Sequence, residues 1–167
     1  FKGVKIIAIL CLVAFLFCGC NSFRLSSSID DLISPISPSG DNAGVQSAVD
    51  EYCKSGYSIK IPATGNYTTS FILKDIDGDK INEAVAFYEP SNKVGTISMA
   101  VIKKSGERWS VIANVDGTAT DVNSVDFCDF NNDGKLEIIV CWSVVSKQTG
   151  TSINVYSQNE NDNKYSL

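Results

Sequence analysis

In the stretch DIDGDKINEAVAFY, Asp75 to Tyr88, aspartates occupy every second position, and Glu83 follows at the entry to an apolar run. The stretch DFNNDGKLEIIVCW, Asp129 to Trp142, repeats the arrangement with Asp129, Asn131, Asp133 and Glu137. Oxygen donors at alternate positions suit a hard cation. Ca2+ takes roughly six to eight oxygens at about 2.3–2.6 Å, and a tightly curled loop can turn alternate side chains inward while a backbone carbonyl fills a gap. Counted from the first aspartate, Asp75, Asp77, Asp79 and Glu83 stand at positions 1, 3, 5 and 9, and Ile81 at position 7 offers its carbonyl. Asp129, Asn131, Asp133, Glu137 and the carbonyl of Lys135 form the second set. Asp, Asn and Gly favour metal-free turns by themselves. A turn has no need of a carboxylate at position 9, however, and two copies in one register point to two structural Ca2+ sites.

Other chemistry is excluded or unsupported. EF-hand-type loops need an acidic ligand at position 12 and lead into a helix. Here position 12 is Ala86 or Val140, and both loops lead into β-branched and aromatic runs. The chain has no histidine, which removes His-dependent triads, His metal sites and the usual general base. No phosphate-cradling glycine pattern occurs. The net charge is −5, and seven acidic residues lie in the two loops, so the acidity is local. No basic stripe for nucleic acid is present. The expectation is a protein without catalytic residues.

The elements that must hold these loops are strands. An offset of 54 residues superposes Ser70 on Ser124, Leu73 on Phe127, Asp75 on Asp129, Glu83 on Glu137, Val85 on Ile139 and Tyr88 on Trp142. Further on, Gly95-Thr96 meets Gly150-Thr151 and Trp109 meets Tyr165, with the offset drifting by one or two. Each copy divides into four strand-like runs: TSFILK, AVAFYE, TISMAVIKK and RWSVIA, then NSVDFC, IIVCWSVV, TSINVYS and KYSL. Four antiparallel strands per repeat are the signature of β-propeller blades. Aromatics recurring in register are expected to be buried between blades rather than to form a sugar platform. Ahead of the repeats, residues 45–66 contain a short helix, with Val45, Ala48, Val49 and Tyr52 at helical spacing and Gly56 suited to end it, and a lead-in strand, YSIKIP. Residues 21–44 are rich in Ser, Pro and Gly and read as a linker.

The paired D-x-[DN]-x-D-x-x-x-E loops between strands resemble the FG-GAP or VCBS-type repeat of integrin-α-like β-propellers, over residues 67–167. The resemblance implies Ca2+ held between the first two strands of each blade by the positions above. Two departures stand out. Lys80 occupies position 6, where Gly commonly permits the turn and where Gly134 sits in the second loop, and Glu replaces the commoner Asp at position 9. The expected fold is all-β: two antiparallel four-stranded propeller-like blades, an incomplete propeller, behind a short α-helix and a signal segment.

That segment, residues 1–20, places Lys2 and Lys5 before an apolar run from Ile6 to Cys18, the outline of an export signal and too short for a membrane span. Its ending FCGC resembles the lipobox of bacterial lipoproteins, which implies cleavage before Cys20 and lipidation of its sulfur. Cys53, Cys128 and Cys141 then remain, an odd number, with Cys128 and Cys141 open to pairing or to burial as small apolar residues. The expected protein is exported and anchored in the membrane by lipid, with secretion as the alternative. It binds or scaffolds an unknown protein or glycan, and the rival is a non-catalytic part of an extracellular carbohydrate-active enzyme.

Overall fold

The second blade packs its inner face on the first, and the first packs its other face on a helix. The computed structural model describes residues 39–117, 119–145, 149–159 and 165–166, all within one compact unit, Ser37–Leu167. Residues 1–20, expected to be a signal segment, and most of the expected linker lie outside them. Helix α1 (Asp41–Tyr52) precedes strands β1 (Tyr57–Lys60), β2 (Phe71–Lys74), β3 (Glu83–Pro90), β4 (Ile97–Ser105) and β5 (Arg108–Gly117). Strands β6 (Asp121–Cys128), β7 (Glu137–Val145), β8 (Thr149–Gln158) and β9 (Tyr165–Ser166) complete the chain. The fold is all-β with one short helix, an incomplete propeller-like arrangement of two antiparallel sheets. Among the described residues no helix is long and apolar enough to cross a membrane.

In the first sheet β3 pairs with β4 and β4 with β5, while β2 and β1 lie end to end along the free edge of β3. Phe71 to Lys74 pair with the first half of β3 and Tyr57 to Lys60 with the second. The second sheet runs in order β6-β7-β8-β9. The registers equate the two copies. Ala84 faces Ile102 as Ile138 faces Tyr156, so the offset is still 54 on the third strand, without the drift that Gly95-Thr96 and Gly150-Thr151 suggest. Lys104 faces Trp109 as Gln158 faces Tyr165, so Trp109 and Tyr165 are equivalent at an offset of 56.

Strands buried on both faces read as continuous apolar runs, and β3 and β4 do so: Ala84 to Tyr88 and Ile97 to Ile102 are all buried. Val85, Phe87, Met99 and Val101 turn toward the second sheet and pack with Val125, Ile138, Val140 and Trp142. Phe87 and Trp142 meet edge to face with ring centroids 5.7 Å apart. Such pairs contribute about 0.5–1.5 kcal/mol beyond their burial.

The opposite face, with Phe71, Ala84, Ala86, Tyr88, Ile102 and Trp109, packs on Val45, Ala48 and Val49 of α1. Shifted by the repeat, these six are Val125, Ile138, Val140, Trp142, Tyr156 and Tyr165, all of which belong to the cluster between the sheets. Helix α1 therefore covers on the first blade what the first blade covers on the second. The repeated aromatics are buried as the pattern implies, although Tyr88 and Trp109 lie under α1 rather than between blades. The helix starts at Asp41, taking in four residues that composition places in the linker. Gly44 allows its close approach, since a Cβ there would stand 2.3 Å from Cδ1 of Trp109.

Cys53, Cys128 and Cys141 are free thiols. Cys141 faces Ser124 and Cys128 faces Glu137, four residues apart along the β6 ladder. That is roughly 13 Å at the rise of a strand, beyond the reach of a disulfide.

Candidate metal centre

The acidic loops join β2 to β3 and β6 to β7, the first two strands of each repeat, and their backbones share an unusual feature. Positions 4 and 6 take left-handed conformations in both: Gly78 (φ 78°) and Lys80 (φ 71°) in the first, Asn132 (φ 60°) and Gly134 (φ 86°) in the second. Lysine does not escape the turn that glycine makes easily; it adopts it.

Carboxylates fold each loop by accepting from its N–H groups. Oδ2 of Asp75 accepts from Lys80 N–H at 3.0 Å, and Oδ2 of Asp129 accepts from Gly134 N–H at 3.0 Å. The side chain of Asp77 accepts from Asp79 N–H and that of Asp79 from Ile81 N–H. Asn131 and Asp133 repeat this on the N–H groups of Asp133 and Lys135. Oε2 of Glu83 reaches back to Ile76 N–H at 3.0 Å, and Oε2 of Glu137 to Phe130 N–H at 2.8 Å. The longer reach of glutamate suits position 9: one oxygen closes the loop onto position 2 and leaves a second oxygen for other partners.

In the first loop that second oxygen is conspicuous. Glu83 is 1% exposed, and its Oε1 is buried without a hydrogen-bond partner. Ligand atoms of Asp75, Asp77 and Glu83 lie within 4.8 Å of one another, the one such acidic group among the described residues. Lys103 on β4 extends its ammonium into the group. It pairs with Asp77, with Asp79 at 2.8 Å and with Oε1 of Glu83 at 3.2 Å, the last an ion pair without hydrogen-bond geometry. Burial works against this ammonium, but the three carboxylates outweigh it and raise its pKa. Lys103 in turn, with the Ile81 N–H, holds Asp79 below the ordinary carboxylate range.

Tyr165 adds a second orphan. Its ring is buried, its hydroxyl has no hydrogen-bond partner, and burial with the nearby charges of Glu83 and Asp77 pushes its pKa up. The sequence marks neither Lys103 nor Tyr165 as a partner of the loop; Tyr165 figures there as the counterpart of Trp109. The spacing of an acidic motif says nothing of which side chain the next strand sets against it.

The second loop is less gathered. Nδ2 of Asn131 donates to Oδ2 of Asp133 at 2.9 Å, and the Lys135 and Asn131 donors hold Asp133 below its usual pKa. The side chains that a cation would draw together are here joined through the amide.

Residues 75–140 match the family of FG-GAP-like repeats. The matched stretch begins at Asp75, the first aspartate of the first acidic loop, and ends in β7, so both acidic loops and the whole of β3, β4, β5 and β6 fall inside it. No curated protein and no solved structure matches the chain. The donor set of the first loop fits the hard cation such repeats imply: carboxylate oxygens at alternate positions, with a buried oxygen that makes no hydrogen bond and meets the ammonium of Lys103.

Proposed function

We propose that the chain is an exported, lipid-anchored bacterial binding or scaffold protein whose FG-GAP-like loops hold two structural Ca2+ ions. The observation that carries the metal reading is the gathering of Asp75, Asp77 and Glu83 ligand atoms within 4.8 Å, with Oε1 of Glu83 buried, without a hydrogen bond, and met by the ammonium of Lys103 at 3.2 Å. Such a group is costly unless a charge meets it. In the first loop Asp75, Asp77, Asp79 and Glu83 would supply oxygens together with the Ile81 carbonyl; in the second Asp129, Asn131, Asp133, Glu137 and the Lys135 carbonyl would do so. The bound ion supplies charge neutralisation. The chain's own residues shape the loop, and the loop fixes how the first two strands of each blade enter the sheet. Binding rather than catalysis is the reading favoured by a sequence that lacks histidine and concentrates its clustered acids in the two loops. The ligand would be a protein or glycan, held by loops of the blades.

A thermal melt of the chain in Ca2+, in Mg2+ and in excess chelator tests the reading. Ca2+ alone should raise the midpoint, and Asp75→Ala with Asp129→Ala should abolish the rise. A cooperative melt indifferent to chelator would reduce the loops to acidic turns.

A further inference from the structure

The two loops share a sequence pattern and a backbone, yet they differ in what faces them. One residue beyond the Ala84–Ile102 pair, the ladder sets Lys103 against Glu83. One residue beyond the Ile138–Tyr156 pair, the equivalent position opposite Glu137 is Ser157. The first loop thus has four carboxylates and an ammonium paired with three of them, while the second has three carboxylates, with Asn131 in place of Asp77. Among the described residues no lysine or arginine forms an ion pair with Asp129, Asp133 or Glu137; Lys135 lowers the pKa of Asp133 chiefly through its backbone N–H.

We propose that Lys103 is the first loop's own cation, seated among Asp77, Asp79 and Glu83 where a divalent ion would bind, so that this loop takes Ca2+ more weakly than the second. The inference rests on the reading that these loops hold Ca2+. Three features support it. The ammonium contacts the ligand oxygens themselves rather than the outside of the loop. It meets the buried Oε1 of Glu83, the oxygen most in need of a positive charge. Its side chain remains 30% exposed on a flexible stem, so it can swing aside when a divalent ion enters. Entry of Ca2+ must break these three pairings, and that cost is subtracted from its affinity.

Calcium titration calorimetry on the full chain tests this. Asp129→Ala silences the second loop and leaves the first to be read alone. Adding Lys103→Ser, which copies the second blade's residue, should tighten Ca2+ binding at the first loop by about tenfold or more, because affinity follows the charge at the site. Equal affinity with and without Lys103 would overturn the proposal while leaving the calcium reading intact. Absence of Ca2+ binding by the unmutated chain and every variant would instead remove the calcium reading, and this inference with it. Removing Lys103 also strips the loop of its counter-charge, so a thermal melt provides the second measurement. Lys103→Ser alone should melt lower than the parent in chelator and recover in Ca2+; a loss that Ca2+ fails to restore, with the second loop still binding, would overturn the proposal.

Discussion

Leu136 donates its backbone N–H to the carbonyl oxygen of Ile76 at 2.7 Å, tying the acidic loop of the second blade to that of the first. The contact is one of backbone with backbone, and it sits beside another close approach. A Cβ on Gly78 would stand 2.8 Å from the carbonyl oxygen of Gly134. The two loops therefore stack as one layer at the same end of the sheets. Whatever orders one loop, a cation or Lys103, also braces the other.

Stacking and turn geometry make opposite predictions for two neighbouring residues. Gly78→Ala places a side chain at φ 78° and against Gly134, and should lose about 1–3 kcal/mol, from left-handed strain plus the displaced loop. Lys80→Gly relieves the same kind of strain at φ 71° without touching a ligand side chain, and should gain about 1 kcal/mol. Urea unfolding of both variants checks the signs, and a neutral Gly78→Ala would argue against the stacked layer.

Acid should weaken the first sheet through Asp116. Its carboxylate pairs with Lys93 and accepts from Ser98 at 2.7 Å and Asn114 at 3.0 Å, which together hold its pKa below the ordinary 3.8. A carboxyl whose pKa is lowered by folding stabilises the fold fully above its unfolded value. That contribution is lost as pH falls through the lower, folded value. Melting midpoints measured from about pH 5 down to about pH 2 should therefore fall less steeply in Asp116→Asn than in the parent. The group is partly exposed, so solvent screening keeps the difference small. Parallel slopes would mean that the network around Asp116 contributes nothing.

Anchoring is testable apart from the blades. If Cys20 carries lipid, the protein expressed in a bacterium with residues 1–20 in place should partition into the detergent phase, and Cys20→Ser should move it to the aqueous phase. The variant's calcium response should be unchanged, since the blades begin far along the chain from Cys20. Retention of Cys20→Ser in the detergent phase would exclude lipid attachment at that residue.

Much of the candidate site was legible because it is local. Alternate aspartates, a glutamate at position 9 and an apolar run after it are relations among near neighbours, and near neighbours are what loop geometry depends on. The left-handed turn at Lys80 was not legible: Gly134 marks the conformation in the other copy, but the lysine stands as a departure from that pattern, and only the structure gives it φ 71°. The strands and the helix were readable from periodicity and from self-similarity at a fixed offset. The site's outer partners were not. Lys103 lies 20 residues past Glu83 in an ordinary strand, and only the β3–β4 register sets it among the carboxylates. Tyr165 comes from the far end of the second blade.

What the sequence by itself determined was therefore the set of repeated units: two copies of four strands, each with an acidic loop between its first two, because hydrophobic period and turn chemistry act within a few residues; β1 adds a fifth strand to the first sheet. Tertiary structure alone decided that α1 covers the first blade as the first blade covers the second, and left Ile153, 70% exposed, on the second blade's outer face beside Cys141. It also decided that the two loops stack and that Lys103 of β4 reaches into one of them. These are contacts between distant segments, chosen by which apolar faces bury each other best and by the register that follows, and no local pattern encodes them.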